Sequence, residues 1–266
     1  MVSFVATPIG NLKDVTLRAL EVLRSADVIF CEDTRHSIKL LNAYEIKKPL
    51  LPCHKFNERE ASEKIIKAVK EGKEVAVISD AGMPVISDPG NVVCKALKEE
   101  GIPYTVIPGA NAGLSALILS AFNAEKFAFI GFLPDKAGER KRLLEKYKNL
   151  DMTTVFHVAP QDLDPHISSI YEVFGERKAC AVREITKIHE EAVTFNLSQG
   201  LPVEKRGEYV LVVEGAMPVN PLNELTELEH LKHYLAEGMD KKEAIKKVAQ
   251  DRSVPKSVIY KISLEL

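Results

Sequence analysis

Short β-branched runs alternate with helical stretches from the first residues, and this alternation constrains the fold more than any other feature. Residues 2–7, 28–31, 50–53, 75–79 and 104–107 read as strands. Residues 15–26, 37–44, 57–72, 91–100 and the unusually apolar 111–122 between and after them read as helices. The third helix carries its own punctuation: Asn57 at the start, Glu60 three residues on, and Gly72 at the end. Residues 75–79 are apolar almost throughout, as in a strand covered on both faces. Strands separated by helices need crossover connections, so a largely parallel sheet is predicted.

The pattern restarts after Asn123. Strands are predicted at 127–131, 153–158, 179–183, 192–196 and 209–213, the last two close enough to pair antiparallel, with a basic helix at 138–149 and another at 163–174. A chain of 266 residues is long for one domain, and a boundary near 113–124 divides it into α/β domains at 1–113 and 114–217. Met217-Pro218-Val219-Asn220-Pro221 suits a linker to a helical tail, 218–266, with helices at 224–237, 241–251 and 255–262. The fold class is therefore α/β, in two domains with a small C-terminal helical extension.

Composition prunes the functional classes. With 45% hydrophobic and 28% charged residues the chain is ordinary globular, neither disordered, collagen-like nor coiled coil. The longest apolar stretch, 112–122, falls short of the ~20 residues that cross a bilayer, so no membrane partner is expected. The first residues lack the basic segment of a secretory leader, which predicts a cytoplasmic protein. Cys31, Cys53, Cys94 and Cys180 lie far apart and read as reduced core thiols. His189-Glu190-Glu191 lacks a second histidine at 193, where Val stands, so no metal site is predicted. The glycine-rich dinucleotide fingerprint, the P-loop and the G-x-S-x-G elbow are all missing from the sequence.

What remains is four polar, Gly/Pro-rich loops that each follow a strand: 7–12, 31–36, 79–90 and 107–112. In an open parallel sheet such loops line one crevice at the carboxyl ends of the strands, where ligands bind. The third loop is long and holds Asp80, Gly82, two prolines and Asp88, the last read as the cap of the next helix.

Thr7-Pro8-Ile9-Gly10-Asn11-Leu12, Glu32-Asp33-Thr34-Arg35-His36, Ser79-Asp80-Ala81-Gly82, Ile86-Ser87-Asp88-Pro89-Gly90, Gly131-Phe132-Leu133-Pro134 and Arg183-Glu184 with Thr186-Lys187 resemble one family. It is the tetrapyrrole-methylase-fold (class III) methyltransferases, and within it the branch that methylates a cytidine ribose 2′-oxygen in 16S ribosomal RNA. The resemblance spans residues 3–215 and implies S-adenosylmethionine as cofactor, 16S rRNA in the small ribosomal subunit as partner, and a homodimer. It places cofactor contacts on Pro8, Asp80, Gly82, Val85, Ile86, Asn111 and Ala112 of the first domain, and on His157, Val158, Val182 and Tyr209 of the second. Ala159-Pro160-Gln161-Asp162 departs from the Ser-Pro-His-Arg common in the family, which removes a basic pair.

Methyl transfer to a ribose hydroxyl gains from alignment and from a base that accepts the proton. Glu32, Asp33, His36 and His54 are candidates; Asp33, with Arg35 as its orienting or phosphate-contacting neighbour, is preferred, and Glu32 and Asp33 also read as a capping pair. Arg59, Arg183 and Lys187 are candidate RNA contacts, the last two alternatively part of a salt-bridge network within the domain. The basic helix with Arg140 and the lysine-rich 240–261 segment, which resembles a helix–turn–helix, add local positive charge to a chain of net charge −2. Methylation of a tetrapyrrole or corrin is the alternative activity on this fold, and a non-catalytic RNA module a third reading.

Overall fold

The computed structural model describes residues 1–202, 206–216, 220–252 and 254–266. The Met217–Val219 part of the predicted linker and Ser253 of the helix–turn–helix reading lie outside the described residues.

The first half is a five-stranded sheet in the order β3-β2-β4-β1-β5, from β1 (Val2–Val5), β2 (Val28–Cys31), β3 (Leu50–Pro52), β4 (Val75–Ile78) and β5 (Tyr104–Ile107), parallel throughout. Side chains alternate between its faces. Phe4, Phe30 and Val77 pack under α3 (Glu58–Lys70) and α4 (Asn91–Glu99) with Ile65 and Leu97. Val5, Ile29 and Ile78 pack under α1 (Leu17–Ser25) and α2 (Thr34–Ala43) with Leu23 and Leu41.

The second sheet runs β6-β7-β10-β8-β9, from β6 (Phe127–Phe132), β7 (Thr153–Val158), β8 (Lys178–Arg183), β9 (Glu191–Asn196) and β10 (Tyr209–Val213). Only β6 and β7 are parallel, so the parallel expectation holds for the first sheet alone. The predicted β9–β10 pairing does not form, because β8 lies between them. Burial explains the order: β10 is covered at every residue and takes the centre, whereas β9 alternates exposed and covered positions, as an edge strand does. One face of this sheet packs under α6 (Ala137–Leu144) and α7 (Leu163–Phe174) with Leu144, Leu163 and Ile170. The other packs under α5 (Ala112–Ser120) through Ala116 and Leu117.

Three local expectations need correction. Asn57 does not cap α3; its Oδ1 accepts the His54 N–H at 2.7 Å instead, tightening the turn before the helix. Asp88 does not cap α4, whose Val92 N–H is met at 3.0 Å by Glu58 Oε2 from α3. The basic helix ends at Leu144, and its Arg140 is buried, donating to Pro134 O, Asp135 O and Ser169 Oγ. Arg140 is thus a structural strut and presents no charge to a partner.

A second compact unit comprises residues 149–151 and the described part of 215–266. Its helices α8 (Glu227–Ala236), α9 (Lys241–Asp251) and α10 (Lys256–Ile262) close on Leu231, Tyr234, Ile245, Val248 and Ile259. Tyr234 Oη donates to Asp251 Oδ2 at 2.6 Å, and Arg252 Nε to His230 Nδ1 at 3.1 Å, satisfying polar groups inside this small core. Among the described residues no helix is long and apolar enough to cross a membrane.

Candidate active site

The carboxyl ends of the first sheet's strands open onto a cavity of about 400 Å³. Asp80, Gly82, Ile86 and Asp88 from the β4–α4 loop form one wall, with Asn111 and Ala112 from the start of α5. His157 and Val158 at the end of β7, Ala159 and Pro160 just after it, Phe129 and Phe132 of β6, and Tyr209 of β10 form the opposite wall.

The β4–α4 loop is shaped by its backbone. Gly82 exchanges hydrogen bonds with Thr7, N–H to O at 3.1 Å and O from N–H at 2.9 Å, which ties the loops after β1 and β4 together. Gly82, Val85, Ser87 and Gly90 all adopt positive φ, at 76°, 76°, 66° and 131°. For a β-branched residue such as Val85 this conformation is strained, and strain of this kind collects at functional sites. Gly90 is required there, since a Cβ would stand 2.8 Å from Val85 Cγ2.

Carboxylates gather at this end of the sheet. Asp80 Oδ1 accepts the Asp33 N–H at 3.1 Å, joining the β2–α2 and β4–α4 loops. Burial, then Glu32 and Asp80, push Asp88 up to about 6. Burial and Asp80 also raise Glu32. Asp33 behaves in the opposite way: it caps α2 through the Arg35 N–H at 2.8 Å and pairs with the Arg35 guanidinium at 2.7 Å, which holds it at about 2. A carboxylate so acidic is a weak proton acceptor. The preference for Asp33 as base therefore gives way to a different role: Asp33 anchors Arg35, whose side chain points into water.

On the opposite wall, burial keeps His157 neutral, and its Nε2 is buried without a hydrogen-bond partner among the described residues. Phe129 and Phe132 meet the imidazole edge-on, with centroids 5.1 and 5.2 Å away. Residues three apart on a regular strand point to opposite faces. A register shift between Phe129 and Gly131, where Gly131 has φ 74°, brings both rings to His157.

Of the predicted cofactor contacts, Asp80, Gly82, Ile86, Asn111, Ala112, His157, Val158 and Tyr209 come together around this cavity. Three do not line it. Pro8 is buried behind the β1 loop, Val85 packs on the first sheet's core and Gly90, and Val182 is buried under α5. Among the RNA candidates, Arg59 is exposed at the start of α3 and carries no ion pair among the described residues. Arg183 pairs with Glu191 at 3.2 Å, and Lys187 with Glu184 at 2.9 Å and Glu208 at 2.8 Å, so these two belong to a salt-bridge network. Phe129, Phe132 and Asp88 were not foreseen in the wall; Gly131 before Phe132 was the one sequence sign of the bulge.

The donor set suits S-adenosylmethionine. Unpaired carboxylates match its positive charges, apolar and aromatic walls match its adenosyl and methionine carbons, and the orphaned His157 Nε2 awaits a polar partner.

A model of the Tetrapyrrole (Corrin/Porphyrin) Methylases matches residues 1–201. The chain belongs to this family. It is 42% identical over 266 residues to ribosomal RNA small subunit methyltransferase I of Bacillus subtilis, covering 96% of this chain and 91% of that one. It is 43% identical over 215 residues to the protein of the same name from Thermotoga maritima, covering 79% of this chain and 96% of that one. Among solved structures it is similar to uroporphyrin-III C-methyltransferase from Thermus thermophilus complexed with S-adenosyl homocysteine, with a TM-score of 0.59, 17% identity, and coverage of 80% and 96% of the two chains. At that identity the likeness to the methylase structure speaks for the fold alone.

Proposed function

We propose that this methylase uses S-adenosylmethionine to methylate small-subunit ribosomal RNA in the cytoplasm, at the ribose 2′-oxygen of a cytidine. The observation that carries the reading is the 42% identity that extends over nearly the whole of this chain and of its Bacillus subtilis relative. Methylation of a tetrapyrrole has only the fold in its favour.

When bound, the cofactor supplies an electrophilic methyl group; the protein's task is alignment and charge. Asp80, Asp88 and the Gly82 backbone would hold its polar end, Ile86, Ala112 and Val158 its apolar parts, and His157 Nε2 would hydrogen-bond it. Arg35, held by Asp33, and Arg59 would meet RNA phosphate. Lys241, Lys242, Lys246, Lys256 and Lys261 of the second unit, all exposed, would add to the electrostatic hold.

The deciding experiment is transfer of labelled methyl from S-adenosylmethionine to purified small ribosomal subunits, followed by nuclease mapping. A single 2′-O-methylated cytidine is the expected product; label confined to a tetrapyrrole substrate would sink the proposal. Arg59→Ala is expected to weaken RNA affinity across all sequences and to lower the salt dependence of binding by about one ion, read by filter binding at several salt concentrations. An unchanged salt slope would leave Arg59 as an ordinary solvated side chain.

The homodimer belongs to the same proposal. Edge strand β5 exposes Tyr104 and Val106, and α5 exposes Leu114 and Ile118, an apolar surface that a second copy would cover. Light scattering is expected to give twice the 29.5 kDa chain mass and Ile118→Glu to reduce it; a monomeric wild type would refute it.

A further inference from the structure

Phe56, in the turn between β3 and α3, is 94% exposed, and no other aromatic among the described residues exceeds 59%. A scattered aliphatic side chain in water is ordinary; an entire aromatic ring held there is not. The turn that holds it is clamped. The Asn57 N–H donates to His54 O at 2.9 Å, Asn57 Oδ1 accepts the His54 N–H at 2.7 Å, and Asn57 Nδ2 donates to Pro52 O at 3.1 Å. The Cys53 N–H, donating to Cys31 O at 2.8 Å, ties the turn to the end of β2. The His54 and Phe56 rings meet at 63° with centroids 6.2 Å apart, so the ring is fixed on one side and open to solvent.

Its surroundings are cationic. Lys55 and Arg59 are exposed and carry no ion pair among the described residues. The neighbouring acids are engaged elsewhere: Glu58 Oε2 accepts the Val92 N–H at 3.0 Å, and Glu60 pairs with Lys64 at 2.7 Å. The exposed Arg35 stands on the loop of the adjacent strand, β2. The turn also belongs to the rim of the cavity. It follows β3 at the carboxyl edge of the sheet, and the order β3-β2-β4 sets it two strands, about 10 Å, from the β4–α4 wall. His54 acts on the Glu32 carboxyl, and Glu32 in turn on Asp80 and Asp88 of that wall.

We propose that Phe56 is a stacking platform for an unpaired RNA base next to the nucleotide that is methylated, with Lys55 and Arg59 on the phosphates beside it. The inference rests on the RNA-methylating reading above. Every base has a π-face, and unpaired bases splayed from a strand are what aromatic side chains of RNA-binding proteins receive. A ring between two cations offers something to both halves of a nucleotide, its base and its phosphate. The centre of a protein–protein contact is instead depleted of charge, which does not describe this corner. The distance of two strands from the cavity wall is the reason the base is a neighbour of the methylated nucleotide and not that nucleotide itself.

The chain contains no tryptophan, so Phe56→Trp introduces a single indole at the place to be tested. Its emission is expected to be quenched by a single-stranded RNA of about 12 nucleotides, and to be little changed by the same RNA annealed to its complement. Phe56→Ala is expected to bind that single strand about 5–150-fold more weakly, with an unchanged salt slope, because stacking releases no counterion. That separates it from Arg59→Ala, which lowers the slope. Its melting temperature is expected to match that of wild type, since the ring packs on little of the fold. In methylation of small subunits, Phe56→Ala is expected to raise KM while the rate at saturating subunits stays within about threefold of wild type. Tryptophan emission indifferent to single-stranded RNA, or quenched equally by the duplex, overturns the platform. So does a Phe56→Ala protein that binds the free single strand within twofold of wild type, even if it binds subunits poorly, since the ring would then face a ribosomal protein. A wild type that methylates no subunit RNA overturns instead the reading beneath, while the emission and melting data still report on the ring.

Discussion

Asp80→Ala is expected to weaken S-adenosylmethionine binding by about 10–150-fold, the equivalent of the ~1.5–3 kcal/mol carried by a hydrogen bond to a charged group. Two losses combine. The cavity wall gives up a carboxylate suited to a cationic ligand, and the Asp33 N–H, now held at 3.1 Å by Asp80 Oδ1, loses its acceptor. Asp80→Asn separates them, because its amide oxygen still accepts from Asp33 while the charge is gone. There is also a pH signature. The Asp80 charge is one cause of the upward shift in Asp88 and in Glu32, so either substitution is expected to lower the pH at which Asp88 titrates. Calorimetric titration with S-adenosylmethionine, and carbon NMR titration of the Asp88 carboxyl from pH 4 to 8, check both; undiminished affinity in Asp80→Ala would remove Asp80 from the cofactor site.

Arg140→Met is expected to destabilise the protein by about 3 kcal/mol or more, since three acceptors lose a buried donor at once. Pro134 O and Asp135 O lie in the segment directly after β6, and Ser169 lies on α7, so the guanidinium pins the end of β6 to the helix layer. For a unit of this size that corresponds to about 6–12 °C in melting temperature. Thermal unfolding read beside RNA filter binding distinguishes the strut from a phosphate hand. A variant of unchanged stability that bound RNA more weakly would return Arg140 to the basic face that the sequence suggested.

The first sheet was legible because its strands are apolar in unbroken runs, such as Val75-Ala76-Val77-Ile78, and because a helix follows each one. The loops of the site were legible for the same reason: they had to gather at the strand ends. What failed depended on long-range competition. Asn57 and Asp88 carry the right side chains for capping, but the His54 N–H and Glu58 offered alternatives that neighbouring sequence cannot reveal. Proximity in the chain favoured β9 beside β10, yet burial gave β10 the centre and placed β8 between them. Phe129 and Phe132 escaped notice because a one-residue bulge changes which face a side chain occupies. Asp33 illustrates the remaining gap. Its identity and position pointed to chemistry, but its charge is spent on Arg35 two residues away.

The place of β1 between β4 and β5 of the first sheet bears on how the chain is made. Val2 pairs with Val75 on one side and Tyr104 on the other. β1 therefore has no neighbour until Ile78 has been synthesised and only one until Ile107 has, while Phe4 and Val5 wait uncovered. Closing so long a loop is slow, and exposed apolar strands invite misassociation. Nascent-chain pausing before Ile78 should leave β1 open to proteases or chaperones, and pausing well beyond Ile107 should seal it.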